Sequence, residues 1–194
     1  MMPTNISKSM KRDNDELYTP RILVQVIVPF IEKYLTTVHE TPTIWCPFDT
    51  ADSEFVLVLK EKFPNLKIIH SHISEPSGDF FSKIEQLPNK NFLVVSNPPF
   101  SKKLDIIKKL NEKNLQWALC MNLESLNYQV MGNYFADNPI GLIIPDKKIS
   151  FDGNCSSFNT SYFCSPGFHK GVKFVHCLHN NQGKNFVPSR MYKN

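Results

Sequence analysis

The residues with the clearest chemical potential are Asn97-Pro98-Pro99-Phe100, which follow the apolar run Phe92-Leu93-Val94-Val95 and Ser96. An amide, two main-chain carbonyls and an aromatic ring stand there in succession. Neither proline donates to a β ladder or continues into a helix, so the chain must leave a buried strand at this point. Each also pushes the residue before it towards extended geometry, which stiffens the turn. The outcome is a rigid set of hydrogen-bond acceptors beside a flat ring, at the strand edge where open α/β sheets bind ligands. Asn-Pro-Pro arises by chance in roughly one chain in fifty of this length. An apolar strand before it and an aromatic after it make a plain strand-ending turn the weaker alternative.

Three further loops are expected at the same sheet edge: after Cys46, after His70, and at Gly78-Asp79-Phe80. Asp49 and Asp79 are candidate polar anchors for a cofactor, with Phe48 and Phe80 as flat apolar walls. Asp49, Ser53 and Asp79 also suit helix N-caps, and both roles can hold together because caps and ligand loops share helix starts. Lys102, Lys103, Lys108 and Lys109 read either as a solvated helix face or, beside the turn, as a grip on phosphates. Cys155, Cys164, His169, His176, Cys177 and His179 cluster in the tail at spacings that fit no standard zinc pattern. Phe158, Tyr162 and Phe163 read as core.

The elements that must position these residues alternate. A helix is predicted from Arg21 to Leu35, with Thr19-Pro20 as its cap and first position and with Pro29 kinking or breaking it. Thr43–Cys46 is a strand, Ser53–Phe63 a helix, Leu66–His70 a strand and Asp79–Gln86 a short helix. After the apolar strand come a helix at Ser101–Lys113, a strand at Trp117–Met121, a helix at Leu126–Phe135 and a strand at Gly141–Pro145. Ser157–Cys164 and Val172–Leu178 are β-like runs with no helix between them, read as a hairpin. The fold class is therefore α/β, a mostly parallel central sheet with an antiparallel C-terminal hairpin.

With 194 residues, 41% hydrophobic and 21% charged, the chain suits one well-buried domain over 15–194 after a polar, basic segment at 1–14. A net charge of +4 permits a polyanionic partner without demanding one. Five scattered cysteines without a CxxC pair favour reduced thiols and a cytoplasmic setting. No apolar run reaches the length of a membrane span, and the N-terminus lacks a signal-peptide core.

Taken together, these motifs resemble the S-adenosylmethionine-dependent adenine-specific DNA methyltransferases, in particular the small phage-encoded ones, over about residues 15 to 165. The resemblance implies a Rossmann-like class I methyltransferase fold. It places Tyr18-Thr19-Pro20 beside the methionine end of the cofactor, Pro47-Phe48-Asp49 around the methionine moiety, and Asp79-Phe80 at the cofactor's adenine. Asn97-Pro98-Pro99-Phe100 matches the catalytic tetrapeptide. In that role the Asn97 oxygen and the Pro98 carbonyl take the amino hydrogens of the target base, favouring a tetrahedral nucleophilic nitrogen. Phe100 stacks on a base flipped from a duplex or taken from a single strand. No metal is called for. Lys102 and Lys103 would hold DNA phosphates.

The chain departs from that pattern in its first loop, where Pro47-Phe48-Asp49-Thr50-Ala51-Asp52-Ser53 replaces the usual Gly-x-Gly. His70-Ser71-His72 replaces the acid expected after the second strand, leaving Glu75 as a substitute from the following loop. There is no room for a separate target-recognition domain, so a protein partner is the candidate source of specificity. Two alternatives accompany the main reading: transfer to RNA or to protein glutamine, and a methyltransferase fold kept as a non-catalytic binding module.

Overall fold

The computed structural model describes residues 19–88, 91–149, 151 and 159–177. Tyr18, Cys155, Phe158, His179 and the basic segment at 1–14 lie outside them. Seven strands form one sheet in the order β2-β1-β3-β4-β6-β5-β7. They are β1 (Thr43–Cys46), β2 (Ile68–His70), β3 (Phe92–Ser96), β4 (Gln116–Asn122), β5 (Gly141–Pro145), β6 (Thr160–Cys164) and β7 (Val172–Val175). The helices are α1 (Arg21–Leu35), α2 (Glu54–Lys62), α3 (Phe80–Gln86), α4 (Lys103–Glu112) and α5 (Gln129–Asp137), with 3₁₀ turns at Phe100–Lys102 and Leu123–Asn127.

Strand β1 pairs in parallel with both β2 and β3, and β3 in parallel with β4. The chain runs from β1 outward to β2 on one side, then returns past β1 to β3 on the other. The strand order therefore reverses between β1 and β3, the position at which open α/β sheets form a crevice beyond their carboxyl ends. Asn97 follows β3 and Pro47 follows β1, so the two loops flank that crevice.

Strict alternation along the strands divides the core in two. Ile44, Cys46, Leu93, Val95, Ala118, Cys120, Tyr162 and Cys164 face α1 and α2. Trp45, Phe92, Val94, Trp117, Leu119 and Met121 face α3, α4 and Met131 of α5. A period of two on β3 and β4, both covered on two faces, explains their near-continuous apolar sequences. The buried indoles keep partners: Trp45 Nε1 donates to Ser71 Oγ (3.1 Å) and Trp117 Nε1 to Asn111 Oδ1 (2.8 Å).

The α/β class and the mostly parallel sheet are as expected, but the C-terminal strands do not form a hairpin. Strand β6 inserts antiparallel between β4 and β5, and β7 pairs in parallel with the far side of β5. Burial gives the reason. All five residues of β6 are buried, as an internal strand requires, whereas β7 alternates exposed and half-buried positions, as an edge strand does. Helix α1 also runs unbroken through Pro29. Proline costs one i to i−4 hydrogen bond there, and burial of Val26, Ile27, Phe30 and Ile31 around it keeps the helix against the sheet.

Tyr162 links the internal β6 to α1: its fully buried hydroxyl donates to the Leu23 carbonyl at 2.9 Å. Tyr162→Phe should lower stability by about 1 kcal/mol, read as a lower urea midpoint with an unchanged slope. An unchanged midpoint would remove this bond from the account of how α1 is seated.

Candidate functional site

A cleft of about 630 Å³ opens at the carboxyl ends of β1, β2 and β3, within the range of roughly 300–1,000 Å³ usual for small-molecule sites. Of the residues singled out from the sequence, it brings together Thr19, Pro47, Phe48, Asp49, Asp79, Phe80, Asn97, Pro98, Pro99, Phe100 and Lys102. Pro20 and Lys103 are not in its wall.

At the turn, Asn97 is half-buried and its Nδ2 donates to the hydroxyl of Thr19 at 3.2 Å. Thr19 therefore does not cap α1. The cap position is Pro20, whose carbonyl accepts from the Leu23 N–H at 2.9 Å, and no side chain closes that end. Through Thr19 the Asn97 amide is tied to the segment that precedes α1. Pro98 is buried, while Pro99 and Phe100 are half-buried, and the Pro99 carbonyl starts the 3₁₀ turn by accepting from Lys102 N–H at 3.2 Å.

The loop after β1 is held by Asp49. Its main-chain N–H donates to the Ser71 carbonyl at 3.2 Å, and Ser71 N–H in turn donates to the Cys46 carbonyl at 3.1 Å. Its carboxylate accepts a short hydrogen bond from the hydroxyl of Ser96, the last residue of β3. Only 7% exposed, Asp49 is not a helix cap but a cross-link between the ends of three strands. Burial pushes its carboxyl up to about 6; the Ser96 and Ser53 hydroxyls and the nearby His72 and His70 act in the opposite direction.

Asp79 does cap its helix, with Oδ2 accepting from Ser82 N–H at 2.8 Å, and it lines the cleft as well. Phe80 is largely interior: it stacks on Trp45 with ring centroids 5.6 Å apart and an interplanar angle of 12°, and meets Phe48 at 5.2 Å. Phe81, perpendicular to Phe80 at 5.1 Å, is the more exposed ring, and Ile73 stands 74% exposed on the same rim. Neither was anticipated. The doubled Phe80-Phe81 offered the only signal, since one of two neighbours at a helix start turns inward and the other outward.

Gly78 closes the loop after β2. A Cβ on it would fall 1.7 Å from the His72 carbonyl oxygen, so this position admits only glycine. The carboxylate of Glu75 folds back within the loop, accepting from His72 N–H at 3.3 Å and lying 3.5 Å from His70 Nδ1. Glu75 is thus not the cleft acid foreseen as a replacement. Asp52 and Glu54, from the loop and helix after β1, line the cleft instead, and Glu54 is paired with Arg21 at 3.0 Å. Glu54 stands in the first turn of α2 and Asp52 two residues before it, away from the strand ends themselves.

The lysines separate. Lys102 is exposed at the cleft, and Lys109 is engaged by Glu85 and Glu112. Lys103 is buried, with Nζ 3.0 Å from Ser125 Oγ, which corrects its expected role as a surface grip on phosphate. The chain changes from 3₁₀ turn to α-helix between Lys102 and Lys103, which turns the first to solvent and the second to the core.

No protein-family model and no curated protein sequence matches the chain. Its backbone is similar to that of a protein from Vibrio vulnificus YJ016 described as a modification subunit of a type I restriction enzyme. The TM-score is 0.51 at 10% sequence identity, covering 90% of this chain and 50% of that one. The chain therefore spans about half the length of that structure. At this identity the likeness is one of fold alone.

The raised Asp49 carboxyl sets a pH dependence. The folded protein holds this proton more tightly than the unfolded chain between about pH 4 and pH 6, so stability falls as pH rises through that window. Above it, the buried charge costs up to about 3 kcal/mol at roughly 1.4 kcal/mol per pH unit. Asp49→Asn should therefore stabilise the fold at pH 7.5 relative to its effect at pH 4, measured by urea denaturation at both values. An equal effect at the two pH values would contradict the assignment.

Proposed function

We propose that this protein transfers a methyl group from S-adenosylmethionine to the exocyclic amino nitrogen of adenine in DNA. The observation that carries the reading is the placement of Asn97 in the cleft wall beside Pro98, Pro99 and Phe100, with its amide tied to the Thr19 hydroxyl at 3.2 Å. An aromatic amine is a poor nucleophile because its lone pair is conjugated with the ring. Acceptors on both of its N–H groups favour the tetrahedral nitrogen, whose lone pair is localised and able to attack. Asn97 Oδ1 and the Pro98 carbonyl are the two acceptors, held in place before the reaction so that no reorganisation is needed as positive charge develops. Phe100 supplies the stacking face for a base taken out of its helix.

S-adenosylmethionine, when bound, supplies an electrophilic methyl group on a sulfonium. The cleft fits such a molecule in size and donor set: carboxylates for its ammonium and hydroxyl groups, aromatic and aliphatic surface for its adenine. Thr19 with Pro47, Phe48 and Asp49 would take the methionine end; Asp79, Phe80 and the exposed Phe81 and Ile73 would take the adenine. Lys102 at the rim is the candidate phosphate contact. The likeness to a structure described as a modification subunit supports the reading at the level of fold. DNA is accordingly the proposed substrate, and a protein partner the proposed source of sequence choice.

Purified protein incubated with S-adenosylmethionine and varied DNA should yield N6-methyladenine by nucleoside mass spectrometry. Labelled transfer into DNA, RNA and protein fractions separates adenine in DNA from other planar amines. Absence of methyladenine across varied DNA would defeat the proposal in this form. Asn97→Ala should reduce transfer by about 100-fold or more with cofactor affinity retained.

Thr19→Val keeps the side-chain shape and removes the acceptor for Asn97 Nδ2. It should lower the rate by about 10- to 100-fold through misorientation of the amide. Wild-type turnover in Thr19→Val would show that the tether does not orient Asn97.

A further inference from the structure

Lys103 is a buried charged side chain at the start of α4, 9% exposed and three residues after Phe100. Both circumstances are unfavourable to a cation. The first turn of a helix carries positive partial charge, and burying an ammonium group costs free energy unless polar or aromatic partners replace water. An apolar side chain would fill the same space without either cost.

Its contacts indicate what the charge does. Nζ lies 3.0 Å from the hydroxyl of Ser125, which is 1% exposed in the 3₁₀ turn after β4. The same ammonium stands 4.6 Å from the centroid of the Phe100 ring, within the distance at which a cation is held by an aromatic face. Lys103 thus joins a fixed point beyond β4 to the ring that ends the Asn-Pro-Pro-Phe turn beyond β3.

The Phe100 ring stands where two spaces meet. Besides the large cleft there is a second space of about 10 Å³, bordered in part by Cys120, Asn122 and Thr160. Asn97 and Phe100 are the two residues that border both spaces. Rotation of the Phe100 ring would alter the side from which a base can reach Asn97.

We infer that Lys103 is a positioning residue for the target base: its buried ammonium, anchored on Ser125, holds the Phe100 ring in the orientation on which that base stacks. The inference rests on the methyltransferase reading for its substrate, and on geometry alone for the ring.

The test uses the full-length protein with 4-fluorophenylalanine incorporated at position 100, in wild type, Lys103→Met, Lys103→Arg and Ser125→Ala. Fluorine NMR of the wild type should give one narrow line from that position. Lys103→Met and Ser125→Ala should broaden or split it as the ring samples further orientations, and Lys103→Arg should return it to one line. Ser125→Ala keeps the charge and the packing volume of Lys103, so it covers the case in which Lys103→Met does not fold. In the methylation assay, Lys103→Met should lose about tenfold in kcat at unchanged affinity for S-adenosylmethionine, with Lys103→Arg recovering most of the loss. A single narrow line in every variant that folds would overturn the inference whatever the activity. Split lines in a protein whose wild type methylates no DNA would leave the ring-holding role standing and remove the methyltransferase reading.

Discussion

The site depends on one buried carboxylate. Asp49 follows β1, takes a hydrogen bond from Ser96 at the end of β3, and bonds through its main chain to Ser71 just beyond β2. Three strand ends that diverge with the sheet's twist are thereby joined at the point where the strand order reverses. The loop after β1 has no glycine, and Pro47 and Phe48 limit how closely its backbone can approach a ligand. Side-chain cross-linking replaces backbone fit as the means of shaping the cleft. The accompanying cost is a carboxyl group held out of water, seen in its raised pKa. Such a group is displaced towards neutrality by burial and towards charge by any cation that enters the cleft.

Around this anchor, Asn97 and Phe80 are oriented by residues outside their own loops. Asn97 is turned by Thr19, which arrives from the start of α1, and α1 is in turn seated by Tyr162 of β6. Phe80 is turned inward by Trp45, leaving Phe81 at the rim. Elements distant in sequence thus specify a turn of four residues. Rigid scaffolds carry precise sites better than loops do, because the supporting side chains are already locked by packing.

Much of this was legible in the sequence because it is local. An apolar strand ended by two prolines can only stop at a sheet edge, and the helix-strand alternation up to Pro145 orders the parallel strands. Asp79 before Phe80-Phe81 reads as a cap and was one. What could not be read is pairing at long range and side-chain phase. The two C-terminal runs look like a hairpin because they are adjacent in the chain; only the full burial of Tyr162, Phe163 and their neighbours assigns β6 to the interior. Lys102 and Lys103 are indistinguishable by type, yet the switch from 3₁₀ turn to α-helix between them sends one to solvent and the other under Phe100. Thr19 before Pro20 has the composition of a cap, and its hydroxyl instead serves a residue 78 positions away.

The central claim is that this cleft, shaped by side chains rather than glycine, holds S-adenosylmethionine beside Asn97. Calorimetric titration of the purified protein with S-adenosylmethionine tests it most directly, before any target sequence is known. The account predicts saturable binding at one site, with heat that depends on buffer ionisation near pH 6 as the cofactor's ammonium displaces the Asp49 proton. An absence of saturable binding at millimolar cofactor would contradict it.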